Sequence, residues 1–272
     1  MDHRSIAAED FRHTGYVVDG HVATITLNRP EIRNALNYRA YDELESAFRL
    51  VSADKDVRCV IVTGADPAFC SGDDVREIMS EEANRARANR SDATTPRPTP
   101  AAMAALACDC PVIAAVNGAA VGWGMELALF ADIRIASEKA KFAELFIKRG
   151  LVSDVGGFHR LPDIVGPAMA AQLLFTGDVI DAQEALRIGL VSEVVRHDAL
   201  LPQARVLAAR IAANPPLALR AMKAGLRQAR GLDAEATGTW AIKTIYRLMQ
   251  TDDHKEGVAS FLERRPPVFK GR

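Results

Sequence analysis

The residues best suited to chemistry lie in Asn117-Gly118-Ala119-Ala120-Val121-Gly122-Trp123-Gly124-Met125-Glu126-Leu127. The apolar run before them, Val112–Val116, reads as a buried strand, and residues 125–131 read as the start of a buried helix. Glycines between a strand and a helix let the backbone turn tightly and come close to a ligand. The first N–H groups of a helix lack internal partners and carry partial positive charge, so such a turn can hold a developing negative charge. Glu126, in the first helical turn, sets a carboxyl beside that spot, and an acid next to an oxyanion site is an arrangement for moving protons. A dinucleotide fingerprint is excluded because the third glycine is missing and no ribose-binding acid follows a strand at the required distance. A P-loop is excluded because no Lys-Ser or Lys-Thr follows the glycines. A turn without chemistry stays open, with Glu126 serving only the helix dipole.

A second turn of the same kind spans residues 68–77, Ala-Phe-Cys-Ser-Gly-Asp-Asp-Val-Arg-Glu, after the apolar run at 57–63. Asp74 followed by Glu77 forms a capping-box pattern that predicts a helix from Val75. A third stretch, residues 148–157, reads as a loop that carries Asp154 and ends in Gly156-Gly157.

Around these turns the pattern predicts a hairpin over 16–19 and 21–27, a helix over 37–52 with Leu36, Ala40, Tyr41, Leu44, Ala47, Phe48 and Val51 on one side, and a helix over 101–107. Strands follow at 132–136 and 141–143. Helices then dominate, at 167–175, 182–188, 200–213, 216–230, 234–249 and 254–262. Residues 80–100 are polar and end in a proline-rich run, which fits a lid over a site or a solvated loop. No short internal repeat is visible. Strands alternating with helices, then helices alone, imply an α/β core with a helical C-terminal region.

The 272 residues suffice for one large domain, and an apolar fraction of 49% with 25% charged residues is that of a globular protein. A net charge of −1 supplies no general attraction to nucleic acid or acidic membranes. Cys59, Cys70, Cys108 and Cys110 lack the paired spacing of a zinc site and read as reduced thiols, so no metal is expected. The first residues lack a signal-peptide apolar region and no apolar run is long enough to span a bilayer, which points to the cytoplasm.

With both turns in place, the chain resembles the crotonase family, the enoyl-CoA hydratase/isomerase superfamily. The resemblance covers nearly the whole length. It runs from Leu27-Asn28-Arg29-Pro30 and Asn34-Ala35-Leu36 through the two turns, the segments at 131–136, 141–142 and 156–157, Leu174-Phe175-Thr176-Gly177 and residues 185–191, to residues 256–265. Order and spacing carry it more than any single piece. It implies an α/β fold, a crotonase-like spiral of stacked ββα units over residues 1–200. It also implies a helical region over 201–272 for trimerisation and closure of the CoA site, as a homotrimer or homohexamer. The implied substrate is an acyl-CoA thioester, with coenzyme A entering as part of the substrate and no permanently bound cofactor.

The resemblance further implies roles. The backbone N–H groups of Asp73 and Trp123 would polarise the thioester carbonyl, with the Asp73 carboxylate turned away. Glu126 matches the first of two glutamates that manage water in the family's hydratases, whereas the second falls on Phe146, which cannot move a proton and would shape an acyl pocket or pack in the core. Asp154 matches an aspartate used by isomerases, hydrolases and dehalogenases of the family; its other reading is an N-cap. Asn34, Ala35, Leu36, Ser71, Gly72, Asp74, Val75 and Gly122 would border the substrate, and Phe261 and Arg264 match positions where a neighbouring subunit touches CoA. Glu144 reads as a strand-edge surface residue rather than as a replacement carboxylate. His159 reads as packed within a helix. The expected reaction is a double-bond shift or water addition and removal on an enoyl thioester; the alternatives are thioester or carbon–carbon hydrolysis on the same fold, or a non-catalytic acyl-CoA- or protein-binding role.

Overall fold

A computed structural model describes residues 6–80 and 98–272. The expected lid at residues 80–100 thus falls almost wholly outside the described residues. The hairpin β1 (Thr14–Asp19) and β2 (Val22–Leu27) is antiparallel, and β2 turns Ala23, Ile25 and Leu27 inward. Then β3 (Cys59–Gly64), β5 (Val112–Val116), β7 (Ile133–Ser137) and β10 (Glu193–Val195) extend the sheet in parallel, in the order β1-β2-β3-β5-β7-β10. A smaller sheet has the order β4 (Ala68–Cys70), β6 (Ala119–Val121), β8 (Lys141–Ala143), β9 (Ile180–Asp181).

The two sheets are two views of one repeated unit. Each of β3-β4, β5-β6 and β7-β8 gives its first strand to the large sheet and its second to the small one, and a helical segment follows. These are Val75–Ile78, Trp123–Phe130, and the 3-10 turn Leu145–Arg149 with the helix Val155–His159. The repeat is structural: it stacks three helix N-termini along one edge of the small sheet.

The large sheet is covered on both faces, which is why its central strands are continuous apolar runs. One face of β3, β5 and β7 (Cys59, Ile61, Ile113, Ala115, Ile135) packs on Leu200, Ala204, Ala208 and Ala212 of the helix Leu200–Ala212. The other face (Val60, Val62, Val112, Ala114, Val116) enters the main core with Leu44, Phe48 and Val51 of the helix Tyr38–Ala53. Each fully buried aliphatic side chain contributes roughly 1.5–3 kcal/mol. Asn37 caps that helix by accepting from the Ala40 N–H at 2.9 Å.

The last helices, Pro216–Gln228, Ala234–Leu248 and Asp252–Glu263, extend from this core. Lys223, 4% exposed, ties the first of them down through Asp132 at 2.6 Å and the Cys110 carbonyl. Ala234–Leu248 buries none of its residues and exposes Ile242, Ile245 and Tyr246, beside exposed Met222 and Leu226 on its neighbour. All four cysteines are free and buried, and no helix among the described residues is long and apolar enough to cross a membrane.

Candidate active site

The two glycine turns meet. Gly72 and Gly122 both adopt positive φ, +86° and +54°, conformations that side-chain-bearing residues rarely hold. A Cβ on Gly72 would lie 3.3 Å from the Trp123 nitrogen. A single cleft is lined by Ser71, Gly72, Asp73, Val75, Gly122 and Trp123, with Met79, Leu145, Phe146 and Arg149 completing its wall. Each turn precedes a helix, so the amides of Asp73 and Trp123 lie at adjoining positive helix ends. As the sequence predicts, a helix starts at Val75; Asp74 caps it by accepting from the Arg76 and Glu77 N–H groups and pairs with Arg29 at 3.2 Å. Glu77 does not close the capping box. Its carboxylate goes to Asn37 and Arg29, while the Asp74 N–H donates to the Leu36 carbonyl.

The Asp73 side chain accepts from the Tyr41 hydroxyl at 2.6 Å. Burial, then the Asp73 charge, push the Tyr41 phenol well above its usual value, so it stays a donor. Tyr41 in turn packs edge-on against the Trp123 ring, with centroids 4.7 Å apart, and Trp123 against Phe130 at 5.8 Å. This aromatic stack joins the first turn to the second. Leu36 borders it through backbone bonds to Gly72 and Asp74. Asn34, by contrast, does not face the cleft: it is 1% exposed and its amide donates to the carbonyls of Ala65, Ala68 and Phe69, which fixes the bend between β3 and β4. Ala35 is buried beside it, its carbonyl taken by Arg29.

Asp154 is joined to the cleft wall through Trp123, whose indole N–H donates to Asp154 Oδ2 at 3.2 Å. Thr99 Oγ1 donates to the same oxygen, and the Val155 N–H to Oδ1 at 2.7 Å, so Asp154 is also the N-cap of Val155–His159. The stretch expected as an open loop to Gly157 therefore contains a helix. Glu126 sits behind it, fully enclosed. Its Oε1 accepts from Ser153 Oγ at 2.6 Å, from the Asp154 N–H at 3.0 Å and from the Gly157 N–H at 3.1 Å, and its Oε2 from the Gly156 N–H. A Cβ on Gly156 would collide with Glu126 Oε2, and one on Gly157 with Ser153 Oγ. The glycine pair thus lets three amides close on one carboxylate. Burial raises the Glu126 pKa, while the Ser153 hydroxyl and the Gly157 and Gly156 amides act against that rise.

Glu144 and His159 also depart from the sequence expectation. Glu144 is not a surface residue. It is 1% exposed, with Oε2 3.3 Å from Ser153 Oγ and Oε1 without a hydrogen-bond partner. Strand β8 turns into the 3-10 segment at this point and folds its side chain under Asp154 instead of outward. His159 is helical as expected but exposed, at the end of Val155–His159, and takes no part in the cleft. Phe146 does line the cleft. Phe261 lies in a separate groove with Val258, Leu262 and Phe269, and Arg264 ends the last helix; the sequence expectation set both against the coenzyme of a neighbouring subunit, not in this chain's own cleft. Tyr41, Thr99, Ser153 and the indole of Trp123 were not singled out from sequence, and only the hydroxyl and N–H of otherwise apolar or loop-like positions could have pointed to them.

Residues 18–272 match the enoyl-CoA hydratase/isomerase family. Over 249 residues the chain is 39% identical to a crotonyl-CoA hydratase of Syntrophomonas wolfei, covering 91% of this chain and 94% of that one. It is 38% identical over 255 residues to an (E)-benzylidenesuccinyl-CoA hydratase of Thauera aromatica, covering 93% and 97%. The crystal structure of an enoyl-CoA hydratase from Bacillus anthracis superposes with a TM-score of 0.87 at 32% identity, over 96% of this chain and 100% of that one.

Proposed function

The chain belongs to the enoyl-CoA hydratase/isomerase family, and we propose that it binds an enoyl-CoA thioester and shifts its double bond, as in the isomerase-like branch with an aspartate. The Asp73 and Trp123 N–H groups hold the thioester oxygen as it gains negative charge, an effect worth roughly 2.7–4 kcal/mol per donor. The Asp154 carboxylate takes a proton from the carbon next to the thioester, leaving a dienolate. The resulting carboxylic acid returns that proton two carbons further along, which gives the conjugated enoyl thioester. One base suffices, because the same proton leaves and comes back.

One observation carries this reading: Trp123 serves both partners. Its backbone N–H belongs to the oxyanion turn and its indole N–H holds Asp154, so the base and the charge-stabilising donor are set by a single residue. Sequence reasoning assigned proton movement to Glu126 as well. The four donors that enclose Glu126 favour a different task, fixing the backbone that bears Asp154.

Water addition is the second reading, and the hydratase names of the two relatives favour it. Against it, Phe146 lines the cleft where a second carboxylate would have to hold the water. The test is to supply 3-hexenoyl-CoA and crotonyl-CoA and follow conjugated enoyl thioester, 3-hydroxyacyl-CoA and free thiol. The expected result is conjugation of 3-hexenoyl-CoA without net uptake of water. Faster hydration of crotonyl-CoA overturns the isomerase reading in favour of the second, and release of thiol favours hydrolysis.

Trp123→Phe keeps the backbone donor and the stack on Tyr41 but removes the bond to Asp154. A fall in kcat of about 3–10-fold with KM nearly unchanged is expected, the worth of one hydrogen bond; an unchanged kcat in steady-state assays would show the indole to be incidental.

The family reading extends to assembly as a homotrimer or a pair of trimers. Met222, Leu226, Ile242, Ile245, Tyr246, Phe261 and Leu262 are exposed on the C-terminal helices, and large exposed apolar patches mark association surfaces. Light scattering is expected to give a mass of three or six chains, and Leu226→Glu to lower it; a monomeric mass for the unaltered protein would remove the assembly.

A further inference from the structure

Beneath Asp154 lies a second acid that the mechanism above leaves unused. Ser153 Oγ is 2.6 Å from Glu126 Oε1 and 3.3 Å from Glu144 Oε2. A serine hydroxyl carries one hydrogen, and the shorter contact takes it. The longer contact can then be closed only by a hydrogen on Glu144. The rest of its surroundings agree. Glu144 is 1% exposed, its Oε1 has no donor, and the charged groups that face it, Glu126 and Asp154 on the neighbouring helices, are both acidic. Among the described residues no lysine or arginine pairs with it, and Arg149 on its own segment donates instead to the Leu145 carbonyl. Two carboxylates this close cannot both stay ionised in a buried site.

We propose that Glu144 is a neutral acid in the working protein and serves as a positioning residue, donating to Ser153 so that the serine hydroxyl points at Glu126. The relay then runs outward. Glu126, held in place by Ser153, grips the amides of Asp154, Gly156 and Gly157, and this grip sets the start of the helix that Asp154 caps. The proposal rests on the reading of Asp154 as the proton carrier for its effect on rate, but not for the protonation itself. Burial first, and the Glu126 charge second, push the Glu144 carboxyl up to about 9, which matches the neutral form over the physiological range.

The sign of the stability effect follows from that direction. The folded chain keeps a proton on Glu144 that the unfolded chain releases in the ordinary carboxylate range. Its contribution is therefore full below that range and is lost as pH rises towards about 9. Glu144→Gln cannot ionise yet still offers an N–H to Ser153. It should keep kcat on 3-hexenoyl-CoA within about threefold, abolish the alkaline fall in kcat, and flatten the decline of Tm with pH. In the unaltered protein, infrared titration should show a carboxylic-acid carbonyl band at neutral pH that disappears only in the alkaline range. No such band at neutral pH overturns the proposal without recourse to any variant. So does a Glu144→Gln protein that loses as much kcat as Asp154→Asn, since Glu144 would then act as an ion. If neither thioester turns over, the infrared and Tm results still decide the state of Glu144 while the functional reading fails separately.

Discussion

Asp154→Asn should lower kcat for the double-bond shift by about 100-fold or more, within the span that a positioned acid or base supplies, and leave KM within about threefold. Asparagine is nearly the same size, and its one side-chain oxygen can still accept from the Val155 N–H, while its amide nitrogen takes the place of the oxygen that accepts from the Trp123 indole and Thr99. The cap therefore persists, while the capacity to carry a proton and the bond from the Trp123 indole are lost together; Trp123→Phe measures the second loss alone. Equal losses in kcat and kcat/KM would mark an interaction made in the transition state alone. Steady-state kinetics on 3-hexenoyl-CoA supply the measurement, and full turnover by the variant would remove Asp154 from the chemistry.

Gly124→Ala should be the most damaging small substitution at the site. In an exposed helix, exchanging glycine for alanine stabilises by roughly 1 kcal/mol. Here the sign reverses, because the new Cβ would fall on the Cys70 carbonyl, within the backbone of the other turn. Either the helix Trp123–Phe130 or the strand Ala68–Cys70 must move. Such overpacking costs roughly 1–3 kcal/mol, and displacing one oxyanion donor from the other by about 1 Å can cost 100-fold in rate. A combined loss is expected: a lowered Tm and a fall in kcat/KM towards that size. A variant with unchanged Tm and rate would show that the turns need not touch.

Much of this arrangement was legible in the residues. Val112–Val116 is apolar throughout, and the sheet buries it on both faces. The Gly-Asp-Asp and Gly-Trp-Gly turns announced two helix starts, and both are found, at Val75 as read and at Trp123, two residues before the Met125 read from sequence. The strands β4 and β6 were not legible, because each lies within a stretch whose glycines read as a turn between a strand and a helix. Residues 155–157 were read as the end of a loop because the glycine pair breaks a helical pattern. The structure supplies the reason for the pair, which is room for Glu126. Glu144 was misplaced for a related cause. Its neighbours in sequence resemble a strand edge, and what buries it comes from Ser153 and Glu126, nine and eighteen positions away. Tyr41 was read as one more member of a helix's apolar side, and its hydroxyl became meaningful only once Asp73 stood opposite it.

The stacked units also divide labour. In the proposed mechanism thioester recognition falls to the first two, through the amides of Asp73 and Trp123, whereas the groups that would decide where protons go belong to the third, on the stretch from Glu144 to Gly157, which Glu126 anchors through Ser153 and the Asp154 amide. That stretch is a short cassette fastened at one carboxylate. Grafting different side chains onto it, with the anchor and both amides untouched, would redirect the chemistry while leaving capture of the coenzyme ester intact.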